Sequence, residues 1–157
     1  MAVLIAYYSW SGNSGKLAKA IQEKTGGTLF EIAPVLPYTA NYNAVVEQAK
    51  KEIRNGYRPE LESLPGDLED YDTILIGSPN WWSTIAPPLA SFLAASDFSG
   101  KTLAPFITHG GGGPGNCKKD ISSLCPGGTV LKPFVSYGSN TGKAELGDWL
   151  REIGFGE

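Results

Sequence analysis

Three stretches of this sequence concentrate groups that hold ligands rather than groups that fill cores. The first is Ser9-Trp10-Ser11-Gly12-Asn13-Ser14, with hydroxyls and an amide packed into a short run just before a helical pattern. Backbone N–H groups at a helix N-terminus carry partial positive charge and attract a phosphate. Hydroxyls add hydrogen bonds, and Gly12 lets backbone approach closely. One hydroxyl is enough for an ordinary helix cap; Ser9, Ser11 and Ser14 together point to an anionic ligand. Other phosphate motifs fail. Gly15-Lys16 is followed by Leu17 instead of Ser or Thr, and G-x-G-x-x-G is absent. Without that fingerprint, Glu31 reads as a solvated or capping carboxylate rather than a ribose-binding acid.

The second stretch is Ser78-Pro79-Asn80-Trp81-Trp82-Ser83-Thr84. Two adjacent indoles in a loop are hard to bury together, and stacking on a flat aromatic ligand is a natural use for one. The other can pack under the following helix. The third stretch is His109-Gly110-Gly111-Gly112-Gly113-Pro114-Gly115-Asn116. It offers almost no side chains, only N–H and C=O groups able to meet the edge of a heterocycle. His109, the one histidine, either contacts a ligand or is a hydrogen-bonded loop residue.

The elements that must position these stretches follow from periodicity. Continuous apolar runs at 2–8, 28–32, 73–77, 103–108 and 129–136 read as strands buried on both faces. Pro133 weakens the last and suggests an edge or bulge. Amphipathic patterns at 13–24, 41–55, 87–95, 116–124 and 141–153 read as helices. In the second, Val45, Val46 and Ala49 face inward. Strict alternation with short connections predicts an α/β fold with a parallel sheet, right-handed crossovers and helices on both faces. In such sheets ligands bind beyond the carboxyl ends of the strands. All three stretches directly follow a predicted strand, so they converge on one edge. Segment 33–68 is long and only partly helical, and Tyr38 and Tyr42 within it either cover a ligand or pack on the surface.

Composition narrows the function. The 157 residues predict a single domain, 1–157. A net charge of −3 gives no electrostatic footprint for nucleic acid or an anionic membrane. No apolar run approaches a membrane span, and the N-terminus lacks the features of a signal peptide. Two cysteines suit a reducing, cytoplasmic setting. Cys117 and Cys125 lie about 12 Å apart along a helix axis, too far for a disulfide. Core packing suits both, although Cys117 at a helix start is also placed for a lowered pKa. No metal site is assigned.

On these residues the sequence resembles the flavodoxin family over its whole length. Ser9-x-Ser11-Gly12-Asn13-Ser14 is similar to that family's hydroxyl-rich phosphate loop, and residues 79–88 look like a branch described simply as flavodoxin or FMN-binding protein. The resemblance implies a flavodoxin-like three-layer sandwich, with a five-stranded parallel sheet in the order 2-1-3-4-5. It implies FMN as cofactor. Ser9, Ser11, Asn13 and Ser14, with backbone N–H groups from Trp10 through Gly12 to Ser14, would hold the phosphate. Pro79, Asn80, Trp81 and Trp82 match the loop that contacts isoalloxazine. Thr108, His109, Gly110, Gly111 and Gly112 match the loop on the pyrimidine edge. The implied role is electron transport through non-covalent flavin, with redox proteins or a small-molecule acceptor as partners, and a monomer or weak dimer as the working unit. A stacked Trp and an absence of nearby cations would lower the flavin potential.

Electron carriers of the family surround the flavin with acids, but these three loops contain neither Asp nor Glu. That leaves an NAD(P)H-dependent quinone reductase open, as well as a cofactor-free partner-binding module. A response-regulator receiver shares the topology, but it needs acidic strand ends where this chain has Ser9, Ser78 and Thr108.

Overall fold

The computed structural model describes residues 3–137 and 143–155. Its elements are β1 (Val3–Tyr7), α1 (Asn13–Thr25), β2 (Thr28–Glu31), α2 (Tyr42–Arg54), β3 (Thr73–Trp81) and β4 (Thr84–Ile85). They continue with α3 (Pro87–Ala94), β5 (Thr102–His109), α4 (Cys117–Leu124), β6 (Thr129–Val130), β7 (Phe134–Tyr137) and α5 (Lys143–Glu152). Residue 2 of the first expected strand and residues 141–142 of the last expected helix lie outside the described residues.

The sheet runs β2-β1-β3-β5, with β6 and β7 in succession along the outer edge of β5, and all these pairs are parallel. If β6 and β7 count as one interrupted strand, this is the expected 2-1-3-4-5 order. The interruption falls at residues 131–133 and includes Pro133, which lacks a ladder donor. Trp149 Nε1 donates to the Lys132 carbonyl at 2.8 Å, tying α5 to the break.

Alternate strand residues feed two cores, as a pleated sheet covered on both faces requires. Val3, Ile5, Leu75 and Phe106 meet α1 and α5 through Leu17, Ile21, Leu146 and Trp149. Leu4, Ala6, Ile74, Ile76 and Ile107 meet α3 and α4 through Leu89, Phe92 and Ile121.

One row of the sheet joins Glu31, Tyr7, Gly77, Phe106 and Phe134 across five strands. A Cβ on Gly77 would lie 2.2 Å from the Phe106 ring, so this central strand needs glycine there. Gly77 does not end the strand, contrary to the expected 73–77 boundary. β3 continues to Trp81 because Ser78 and Pro79 still pair with β5, and Asn80 and Trp81 pair antiparallel with β4.

Candidate functional site

The loop leaving β1 is gathered around one side chain. Ser9 Oγ accepts hydrogen bonds from the Gly12 and Gly15 amides, each at 3.1 Å. Gly12 caps α1 with φ +95°, a conformation natural to glycine, and no side chain caps the helix. Within the first turn Ser9 Oγ takes the Gly15 amide, while the Asn13 and Ser14 amides face the loop with no side chain of the cap residue to receive them. Ser11 is exposed. Ser14 is buried, and its hydroxyl shares a 2.9 Å hydrogen bond with Thr108 Oγ1 on β5. That bond fastens the start of α1 to the base of the third loop.

The second stretch is a hairpin rather than a loop. β3 turns into β4 through Trp82 and Ser83, with φ +54° and +68°. Two left-handed residues in a two-residue hairpin turn form the type that normally selects Asn-Gly. Here tertiary bonds hold the turn: the Ser83 carbonyl accepts from the Asn116 amide at 2.6 Å, and Trp82 Nε1 donates to the Val46 carbonyl at 2.9 Å. The two indoles separate as expected. Trp81 packs edge-on against Tyr8 and Tyr38, at 5.7 and 5.3 Å between centroids. Trp82 is 49% exposed. The sequence loops hold no cation, yet α2 brings Lys50 Nζ to 5.3 Å from the Trp82 ring centroid.

In the third loop, Gly111, Gly113 and Gly115 all have left-handed φ. His109 Nδ1 accepts from the Gly111 and Gly113 amides, at 3.0 and 3.1 Å. Asn80 Nδ2 donates to the Gly113 carbonyl at 2.6 Å. A Cβ on Gly115 would meet the Ser83 carbonyl oxygen at 2.7 Å, so the loop lies directly on the hairpin turn.

Between these elements lies a cleft of about 400 Å³, within the usual range for small-molecule sites. Trp10, Ser11 and Asn13 line one end, Pro79, Asn80, Trp81 and Trp82 the second wall, and Thr108, His109 and Gly110 the third. Ser9, Gly12, Ser14, Gly111 and Gly112 support the loops without lining it. Asn80 lines the cleft, and its buried Oδ1 has no hydrogen-bond partner among the described residues. The lining contains no Asp or Glu.

A fourth wall comes from α2: Tyr42, which the sequence offered as a cover, and Val45, Val46 and Ala49, which sequence reasoning placed in the core and did not assign to the site. Their inward periodicity was legible, but not what they faced. Tyr42 thus borders the cleft. Tyr38 does not; it stands behind Trp81 and donates to Glu52. Burial first, then that bond, pushes its phenol far up from the usual range. Burial, with Glu52 and Glu31 adding, does the same at Tyr8.

The cysteines are free and buried. Burial, reinforced by Asp120, pushes the Cys117 thiol up to about 12, which overturns the lowered value that a helix start suggested. Burial takes Cys125 to about 11. Among the described residues no helix is long and apolar enough to cross a membrane.

The flavodoxin family model matches residues 2–153. A solved chain assigned as a flavoprotein, from Bacteroides uniformis, is 32% identical, with a TM-score of 0.85 over 96% of this chain and 97% of that one. A flavoprotein from Lactobacillus acidophilus, solved in complex with FMN, is 27% identical, with a TM-score of 0.75 over 94% and 97%. An NAD(P)H dehydrogenase (quinone) of Archaeoglobus fulgidus is 32% identical over 100 residues, 58% of this chain. The chain spans about half the length of that relative, 49%. The chain belongs to the flavodoxin family.

Proposed function

We propose that this protein binds FMN in the cleft at the carboxyl edge of its sheet and carries electrons through the non-covalently held flavin. The observation that carries the reading is the buried Asn80 Oδ1, an acceptor without a partner among the described residues, on a residue that lines a cleft bordered by indoles and glycine backbone. A buried polar atom without a partner costs free energy. A flat heterocycle with a ring N–H offers the missing donor. The residues present therefore fit FMN. When bound, FMN supplies the redox chemistry, and the protein supplies binding, orientation and electrostatics.

The phosphate belongs at the N-terminus of α1, where amides of Trp10 to Ser14 other than that of Gly12, which Ser9 takes, would meet it and Ser11 and Asn13 would add side-chain contacts. A hydroxyl that accepts two bonds still has its own proton to give. Ser9 thus shapes the loop with its lone pairs and donates to the phosphate with its O–H. Trp82, Trp10 and Tyr42 offer ring faces to the flavin, and Gly110 to Gly112 offer backbone to its edge. Asn80, donating to Gly113 and accepting from the ligand, couples hairpin, loop and cofactor.

A second reading, an NAD(P)H-dependent quinone reductase, draws support from the relative named NAD(P)H dehydrogenase (quinone) and from the acid-free cleft. An uncharged aromatic acceptor suits that lining, whereas a basic protein partner finds no carboxylate there. Purified protein incubated with FMN and desalted tests the shared claim: a yellow protein is expected, and a colourless one refutes it. NAD(P)H added to the yellow protein separates the readings. Flavin that stays oxidised until a reductase is supplied supports the carrier. Direct bleaching, reversed by a quinone, supports the enzyme.

A further inference from the structure

We propose that His109 is the positioning residue of the cofactor loop, and that FMN retention depends on its Nδ1 as the acceptor that shapes the loop. The proposal rests on the FMN reading above but concerns a part of the chain that can be measured without ligand.

His109 is the last residue of β5, in register with Tyr137 of β7, and its ring lies edge-on to the Tyr137 ring at 5.4 Å. That contact sets the ring, and Nδ1 then points back into its own loop. The Gly111 and Gly113 amides both donate to it. An imidazole nitrogen accepts only when it carries no proton, so the neutral ring holds its proton on Nε2. Gly111 and Gly113 have φ of +132° and +72°. Glycine reaches such conformations freely but also reaches many others, so a run of glycines does not choose its own shape. Here the choice is made from outside. His109 holds the Gly113 amide while Asn80 holds the Gly113 carbonyl. Gly110, between the anchored residues, is left lining the cleft.

Without an acceptor at Nδ1 the Gly111 and Gly113 amides lose their shared partner. The loop then loses its organising contact, and backbone aimed at the cofactor edge loses its aim. An amide oxygen placed where Nδ1 stands restores the acceptor.

The experiment measures the FMN dissociation constant by fluorescence quenching. It uses wild type, His109→Asn and His109→Ala. Asn places an amide oxygen where Nδ1 stood. His109→Ala is expected to bind about tenfold more weakly than wild type, and His109→Asn to recover most of that loss. Wild-type affinity in His109→Ala overturns the proposal, as does a His109→Asn variant that binds no more tightly than His109→Ala. If wild type binds no FMN, the flavin reading fails by itself. NMR of the ligand-free chain then decides on His109: the Gly111 and Gly113 amide shifts must move in His109→Ala and return in His109→Asn, and amide shifts that ignore the alanine overturn the proposal.

Discussion

The loop that leaves β1 is gathered around the hydroxyl of Ser9, and the loop that leaves β5 around the imidazole of His109. Each acceptor stands at or just beyond its strand end and takes two backbone amides, those of Gly12 and Gly15 in one case and of Gly111 and Gly113 in the other. The two differ in the element downstream and in the outside contacts each loop needs. Ser9 folds its loop straight into α1, so the helix continues the shape and aims its first-turn amides at an anion. His109 folds a loop that still has to reach α4 and that depends on contacts with Asn80 and the hairpin turn. The same device thus yields one half-site continued by a helix and one held by contacts from outside the loop.

Four perturbations probe that contrast, from the largest expected effect downward. Ser9→Ala leaves two amides without their acceptor and removes a donor to the phosphate. FMN affinity is expected to fall about a hundredfold, at all pH values, in the same quenching titration. Wild-type affinity in that variant would break the parallel between the loops. Gly115→Ala, with a Cβ 2.7 Å from the Ser83 carbonyl and a left-handed φ, is expected to cost about 2 kcal/mol in urea unfolding. Gly110→Ala, whose Cβ meets nothing within 4 Å, serves as the control and leaves stability unchanged.

Ser14 and Thr108 join the two halves. Removing either hydroxyl strands the other in the core, so Ser14→Ala and Thr108→Val each cost about 1–2 kcal/mol, and the double variant costs less than their sum. Additive losses would mean the halves are not coupled there. Lys50→Ala is the smallest, less than about 1 kcal/mol in stability, because the ammonium over Trp82 is a surface cation–π contact.

Alkali acts on the framework instead of either loop. The Cys117 and Cys125 thiols are raised to about 12 and 11 by burial, and the Tyr8 and Tyr38 phenols are raised further. These groups stay neutral in the folded chain while their unfolded counterparts ionise. Their contribution to stability is complete below the unfolded thiol value of 9.0 and is lost as pH rises from there through the folded values. Urea midpoints that do not fall above that pH would contradict the burial of these groups.

The sheet was legible in the sequence because both of its faces are covered, which turns the central strands into unbroken apolar runs. The continuation of β3 was not legible. Pro79 and Asn80 carry loop chemistry, and the partner that makes them strand is only Thr84–Ile85. Gly77 looked like a stop; its cause is the ring of Phe106 on the neighbouring strand, which no local pattern records. The three loops were found because strand ends are where such sheets bind ligands. Val45, Val46 and Ala49 of the α2 wall were missed because amphipathic periodicity tells which residues point inward but not what space they enclose. His109 stayed ambiguous until its two amide donors were placed, since glycine backbone has no preferred path to predict.

The most direct test is a titration of FMN into the ligand-free protein, followed by flavin fluorescence. Quenching is expected to saturate at one FMN per chain, and Ser9→Ala is expected to shift it to higher concentration. FMN fluorescence left unchanged by an excess of folded protein would contradict a flavin site in this cleft.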